Sequence, residues 1–208
     1  IIDPEITYII LDVSFKYNSN KTTKEKSTLV SDVTTTITDF NDSKLKSFNN
    51  VFRHSQLSSL IDDTDTSILN NITNVTLSKK ITPTLNTATG YNVYFNNALY
   101  NPHSEHNKSV GGITTSSGFL VSGDATNEQF FDDDGDGNLR IYYLVGAVRT
   151  YSDETAGTID YSTGHIKINS VNITSISDVD DVASTIIRIT SIPDSKDIVP
   201  VRNQILEI

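Results

Sequence analysis

The chain has 208 residues, with 26 acidic side chains against 16 basic ones and a formal charge of −10. That length holds one large or two small domains with a real core, and the acidic balance disfavours phosphate backbones and anionic membranes as partners. Cysteine, methionine and tryptophan are absent, which removes disulfides, thiolate metal sites and cysteine nucleophiles together. Ser, Thr and Asn make up about a third of the residues, a composition suited to a rigid, β-rich structural protein. No apolar run approaches the roughly 18 residues of a spanning helix. The chain opens Ile1-Ile2-Asp3-Pro4, without Met or a basic flank, and so reads as a piece of a longer one with no signal peptide.

Residues 6–17 predict a strand, with Ile9, Leu11, Val13, Phe15 and Tyr17 on one face and Asp12, Ser14 and Lys16 on the other. Asn18-Ser19-Asn20 ends it. Thr22 or Thr23 can cap a helix carrying Leu29, Val33, Ile37 and Phe40 at helical spacing. Asn41-Asp42 predicts a break, with Asp42 capping a second helix whose buried face is Leu45, Phe48 and Phe52. A short third turn follows with Leu57, Leu60 and Ile61, closed by Asp62-Asp63. Residues 66–82 alternate as a strand. Strand, helix, helix and strand up to Pro83 predict helices packed on a small sheet.

Beyond Pro83 helical periodicity is lost and turn residues become dense. Tyr91, Val93 and Phe95 predict a strand, as does the run Arg140–Val145. Residues 157–173 predict a hairpin, residues 185–192 another strand, and Pro193–Ile208 an extended tail. The expected fold class is therefore α+β: a helix-on-sheet subdomain at residues 1–83 followed by a β-rich domain at residues 84–208.

Several segments, in this order, resemble one family. They are Tyr8-Ile9-Ile10-Leu11-Asp12-Val13 with Lys16-Tyr17-Asn18, then Phe48–Ser55, then Leu60-Ile61-Asp62 with Asp65–Asn71. Later come Tyr100-Asn101-Pro102-His103, Gly111-Gly112-Ile113, Ser117-Gly118-Phe119, Asp133–Tyr143 and Gly157–Gly164. Together they resemble the C-terminal part of the baseplate wedge subunit of T-even-type contractile-tail phages, gene product six, and more distantly the baseplate-J family. The resemblance implies a structural protein of the virion's tail baseplate, made in the host cytoplasm. It implies a homodimer linking neighbouring wedges, other wedge proteins as partners, no cofactor and no catalysis.

The sharpest chemical signal is Asp132-Asp133-Asp134-Gly135-Asp136-Gly137-Asn138. Asp132, Asp134 and Asp136 match the first half of a calcium loop, where alternate oxygens converge and a glycine permits the turn. The twelfth position, which needs a bidentate acid, is Tyr143. The segment is therefore read as a hairpin turn, with no metal assigned and these three aspartates as the candidate ligands. His103-Ser104-Glu105-His106 offers zinc donors but lacks a fourth ligand and a helical frame. His54 reads as a packing or surface residue and His165 as solvent-facing. Asp62-Asp63 and Asp180-Asp181 read as a helix end and a loop. No nucleophile elbow, phosphate loop or dinucleotide fingerprint occurs. The alternative functional class is a calcium-assisted cell-surface adhesin or glycan-binding β module built on the Asp turn. A third is a tail-associated hydrolase acting on cell-wall polymer.

Overall fold

A computed structural model describes residues 4–106, 112–179 and 182–208. Among these residues it contains eleven strands and two α-helices. The chain divides into two compact units, one running to Thr76 and rejoined by Ser195–Ile208, the other spanning Leu77–Asp194. No helix in the described residues is long and apolar enough to cross a membrane.

The first unit starts with β1 (Glu5–Tyr17), where the predicted alternation holds. Next come α1 (Lys26–Lys44) and α2 (His54–Asp62), then the first nine residues of β2 (Ile68–Ile81). The last strand, β11 (Gln204–Glu207), returns to pair in parallel with β1, Glu5 lying opposite Gln204 and Tyr8 opposite Glu207. The core gathers Ile9, Leu29, Val33, Phe40, Phe52, Leu57, Ile61, Ile198 and Leu206. Phe40 and Phe52 meet edge to face at 6.1 Å, a favoured aromatic geometry.

The α1 helix is rich in threonine, a poor helix former. Thr34, Thr35, Thr36 and Thr38 each donate the hydroxyl to the carbonyl four residues back, at 2.9–3.1 Å, which satisfies them within the helix. The helix starts at Lys26 rather than behind a threonine cap, and it runs through Asn41-Asp42 without a break. Asn41 is buried there, its side-chain oxygen accepting from the Ile208 amide at 2.9 Å. The second helix predicted from Leu45, Phe48 and Phe52 does not form. Lys46 and Asn49 adopt positive φ, 58° and 65°, a left-handed backbone that interrupts any helix. Phe48 is 47% exposed, while Phe52 sits in an isolated bridge to Ile198. Helix instead occupies the predicted third turn, with Leu57 and Ile61 buried and Leu60 exposed.

In the second unit the end of β2 pairs antiparallel with β10 (Ile187–Ser191), and β10 with β4 (Thr114–Ser116). The β4 strand meets β6 (Asp124–Asp133) opposite Asp132. From there β5 (Phe119–Val121), β9 (His165–Ile176), β8 (Val148–Asp160) and β7 (Asn138–Val145) follow in order. The β7 strand pairs back onto β6, opposing Asp132 to Arg140. Five strands thus close into a small barrel, which removes their free edges. Strand β3 (Ala88–Tyr94) adds to β9 outside this ring. Phe119, Phe131, Leu139, Ile166, Ile168 and Ile173 form the barrel's core, Phe119 and Phe131 lying 4.7 Å apart.

The expected α+β class with a helix-on-sheet subdomain is overturned: the protein is essentially β, strand covering about half of it and helix 16%. The β-branched and Thr-rich segments go into strands of up to 14 residues, where such side chains pack well. The apolar spacing that had predicted a second helix is used by an irregular segment carrying Phe52 into the core.

Candidate functional site

The β6–β7 hairpin carries the candidate aspartates, and its geometry sends them in different directions. Successive strand residues point to opposite faces, so Asp132 and Asp133, the last residues of β6, diverge. Gly135 and Gly137 then take φ of 80° and 99° and reverse the chain, a backbone that L side chains resist.

Asp132 is fully buried. Arg140 donates to it through Nε at 3.0 Å and Nη2 at 3.2 Å, Arg149 through Nη1 at 2.7 Å, and Tyr151 through its hydroxyl at 3.0 Å. Arg140 also lies 4.2 Å over the Tyr151 ring and Arg149 4.4 Å over the Tyr142 ring. Burial pushes the Asp132 carboxyl up by more than the two guanidiniums and Tyr151 pull it down. Asp133, also buried, accepts from the Thr114 amide at 2.8 Å and the Tyr161 hydroxyl at 2.6 Å. Burial and this carboxylate together hold the Tyr161 phenol far above its ordinary range.

Asp134 closes the turn. It accepts from the Asp136 amide at 2.8 Å, the Asn138 amide at 3.0 Å and the Asn138 side chain at 2.6 Å. Burial pushes its carboxyl up, but the Asn138 and Asp136 donors outweigh that and hold it below the usual range. Asp136 reaches the other way and accepts from the Ser104 hydroxyl and, at 3.0 Å, the Glu105 amide. Asn101 donates to the Gly135 carbonyl at 3.2 Å. The two motifs that the sequence offered separately, the Asp turn and the His103–His106 loop, therefore form one polar platform beside an open recess of about 490 Å³. Within the loop, His106 Nδ1 lies 3.0 Å from His103 Nε2.

Asp132 and Asp134 each spend both carboxylate oxygens on donors of the protein, and Asp136 spends Oδ1 on Ser104 and the Glu105 amide. No group of three or more His, Asp or Glu side chains gathers to hold a metal among the described residues. We expect thermal melts in millimolar calcium and in chelator to coincide. A shift of several degrees abolished by Asp134→Ala would overturn that, since a ligand held by the folded state alone raises its stability.

The remaining candidates are dispersed. His54 Nε2 lies 3.0 Å from the Thr73 carbonyl at the start of α2. His165 is half-buried rather than solvent-facing, stacked 4.4 Å from the Tyr94 ring and 3.0 Å from the Asn92 side-chain oxygen. Asp62 ends α2 and accepts from Asn71 at 2.7 Å. Asp180 and Asp181 lie outside the described residues. Sequence reasoning missed Asp133, Arg140, Arg149, Tyr151 and Tyr161. One signal was present: Arg140 interrupts the apolar run Leu139–Leu144, and a cation inside a buried strand demands a buried anion.

In the first unit an apolar groove of about 500 Å³ runs between β1 and α1, lined by Ile9, Leu11, Val13 and Phe15 on one side and by Val30, Val33 and Ile37 on the other. Leu11, Val13 and Phe15 are only half-buried, and Val30 is 46% exposed. No curated protein matches the chain. Residues 5–80 match the family described as baseplate structural protein gp6, C-terminal domain III. The matched segment begins with β1 and ends one residue before β2 does, so it takes in both helices and all of the groove lining except Ile208. The motifs between Tyr8 and Asn71 and this match agree: residues 5–80 match the C-terminal domain III of the baseplate structural protein gp6 family, which supports a gp6-type baseplate protein.

Proposed function

We propose that the chain is a structural subunit of a phage contractile-tail baseplate, self-associating to link neighbouring wedges and working without cofactor or catalysis. The match of residues 5–80 to the gp6 domain carries this reading. Other baseplate wedge proteins are its further partners, and its place is the virion tail after synthesis in the host cytoplasm. The half-covered groove between β1 and α1 supports the reading, because apolar surface left open on a folded unit is what a permanent partner covers. The charge of −10 supports partners that are neither nucleic acid nor anionic membrane. A permanent contact of this kind buries on the order of 2,000 Å² or more. Sedimentation equilibrium of the purified chain should give twice the 22.9 kDa chain mass at micromolar concentration. A single species of the chain mass up to high micromolar concentration would end the self-association reading.

A further inference from the structure

The β1 strand is far longer than the strand that covers its outer side. Its 13 residues pair with β11 only from Glu5 to Tyr8. Beyond Tyr8 the described ladder on that side ends, leaving the edge from Ile9 to Tyr17 to be completed. The Glu5 amide donates to Asn203 across this edge at 2.9 Å, so by the two-residue period the odd-numbered amides and carbonyls point outward. These belong to Ile9, Leu11, Val13, Phe15 and Tyr17, the same residues whose side chains face the α1 side. An unprotected strand edge invites strand addition.

We propose that this edge pairs with the same edge of a second copy, antiparallel about a two-fold axis at Ser14. The proposal rests on the self-association reading above and names its surface. Three features of the sequence agree on this one register. With Ser14 opposite its own counterpart, Val13 falls opposite Phe15 and Leu11 opposite Tyr17, so apolar side chains extend the open groove across the axis. Asp12 falls opposite Lys16, twice by symmetry, and all three of Asp12, Ser14 and Lys16 are exposed in the single chain. The hydrogen-bonding parity fits as well. The pairs 13–15 and 11–17 are both outward-facing and form the hydrogen-bonded pairs, about eight bonds in all, while 12–16 and 14–14 are the non-bonded pairs whose side chains approach more closely. Opposite charges at such positions stabilise a sheet and like charges weaken it. A shift of two residues in either direction about the axis sets Asp12 or Lys16 against an uncharged partner and loses both ion pairs. An isologous contact of this form closes as a dimer and does not propagate into fibres.

The chain has no cysteine, so a single introduced thiol reports the register. Ser14→Cys should yield a disulfide-linked dimer on mild oxidation, because directly opposed residues lie within the Cα range a disulfide tolerates. Asp12→Cys, which meets Lys16 and not its own copy, should yield little. Lys16→Asp, which opposes two carboxylates, should weaken the dimer about tenfold or more, and Asp12→Lys with Lys16→Asp should restore it. If the unmodified chain is a dimer yet Ser14→Cys fails to cross-link ahead of Asp12→Cys, this surface is wrong while self-association stands. A chain that stays monomeric throughout would remove both.

Discussion

Replacing Arg140 by leucine should destabilise the protein by about 3–5 kcal/mol, the usual cost of leaving a buried charge without its partner. Asp132 is fully buried, and Arg140 gives it two hydrogen bonds while donating a third, at 2.8 Å, to the Asp133 carbonyl. Arg149 stays in contact but its side chain is 29% exposed, so it supplies a better-solvated and weaker counter-charge. Removing the anion as well, in Asp132→Leu with Arg140→Leu, should recover much of the loss, because Arg149 can then turn to water. The pH dependence has a definite sign. Burial raises the Asp132 carboxyl above its unfolded value. Between the two values the folded state holds a proton that the unfolded chain lacks, so this group's contribution to stability grows as pH falls. Arg140→Leu widens that window, and its deficit should therefore shrink between pH 7 and pH 5. Urea unfolding at the two pH values reads both effects. A loss under about 1 kcal/mol at pH 7, or a deficit that grows on acidification, would contradict this account of the cluster.

The same aspartate marks where the sequence was legible and where it was not. Two readings of Asp132–Asn138 competed: alternate oxygens converging on a cation, or a strand running into a turn. The strand period extends through Asp133, and it sends Asp132 and Asp133 to opposite faces, Asp132 to Arg140, Arg149 and Tyr151 and Asp133 to Thr114 and Tyr161. What could not be read was the partner set. Arg149 and Tyr151 reach Asp132 from β8, and Ser104 reaches Asp136 from 32 residues upstream. Such contacts reach across neighbouring strands or in from a distant loop, which leaves no local periodicity. The first unit has the same division. The alternation of β1 and the stop at Asn18-Ser19-Asn20 are local and hold. Leu45, Phe48 and Phe52 have helical spacing, but Phe52 is buried by Ile198, on a segment 146 residues later that returns beside it. That distant contact, with positive φ at Lys46 and Asn49, overrides the local pattern.

Truncating Phe131 to alanine should cost about 3–5 kcal/mol, the range for deleting a buried aromatic ring from a core that cannot fully collapse. Phe131 is fully buried against Phe119, and its amide accepts no rearrangement cheaply, since it donates to the Ser116 hydroxyl at 2.8 Å. Collapse is limited by the closed ring of strands. On β8, Gly157 sits so close to β9 that even a Cβ there would collide with the Lys167 carbonyl oxygen. The β8 backbone is thus already against its neighbour and has no slack to move inward over a cavity. Phe131 also lies next in sequence to Asp132, so its loss loosens the strand end that fixes the Arg140 cluster. The two variants should therefore be non-additive. Phe131→Ala combined with Arg140→Leu should cost less than the sum of the singles, because both act on the same end of β6, Phe131 beside Asp132 in sequence and Arg140 opposite it in the ladder. Differential unfolding of the four proteins in a double-mutant cycle measures this. Strict additivity would mean that core and ion cluster are independent, and a Phe131→Ala loss near 1 kcal/mol would mean that the barrel can close over the missing ring after all.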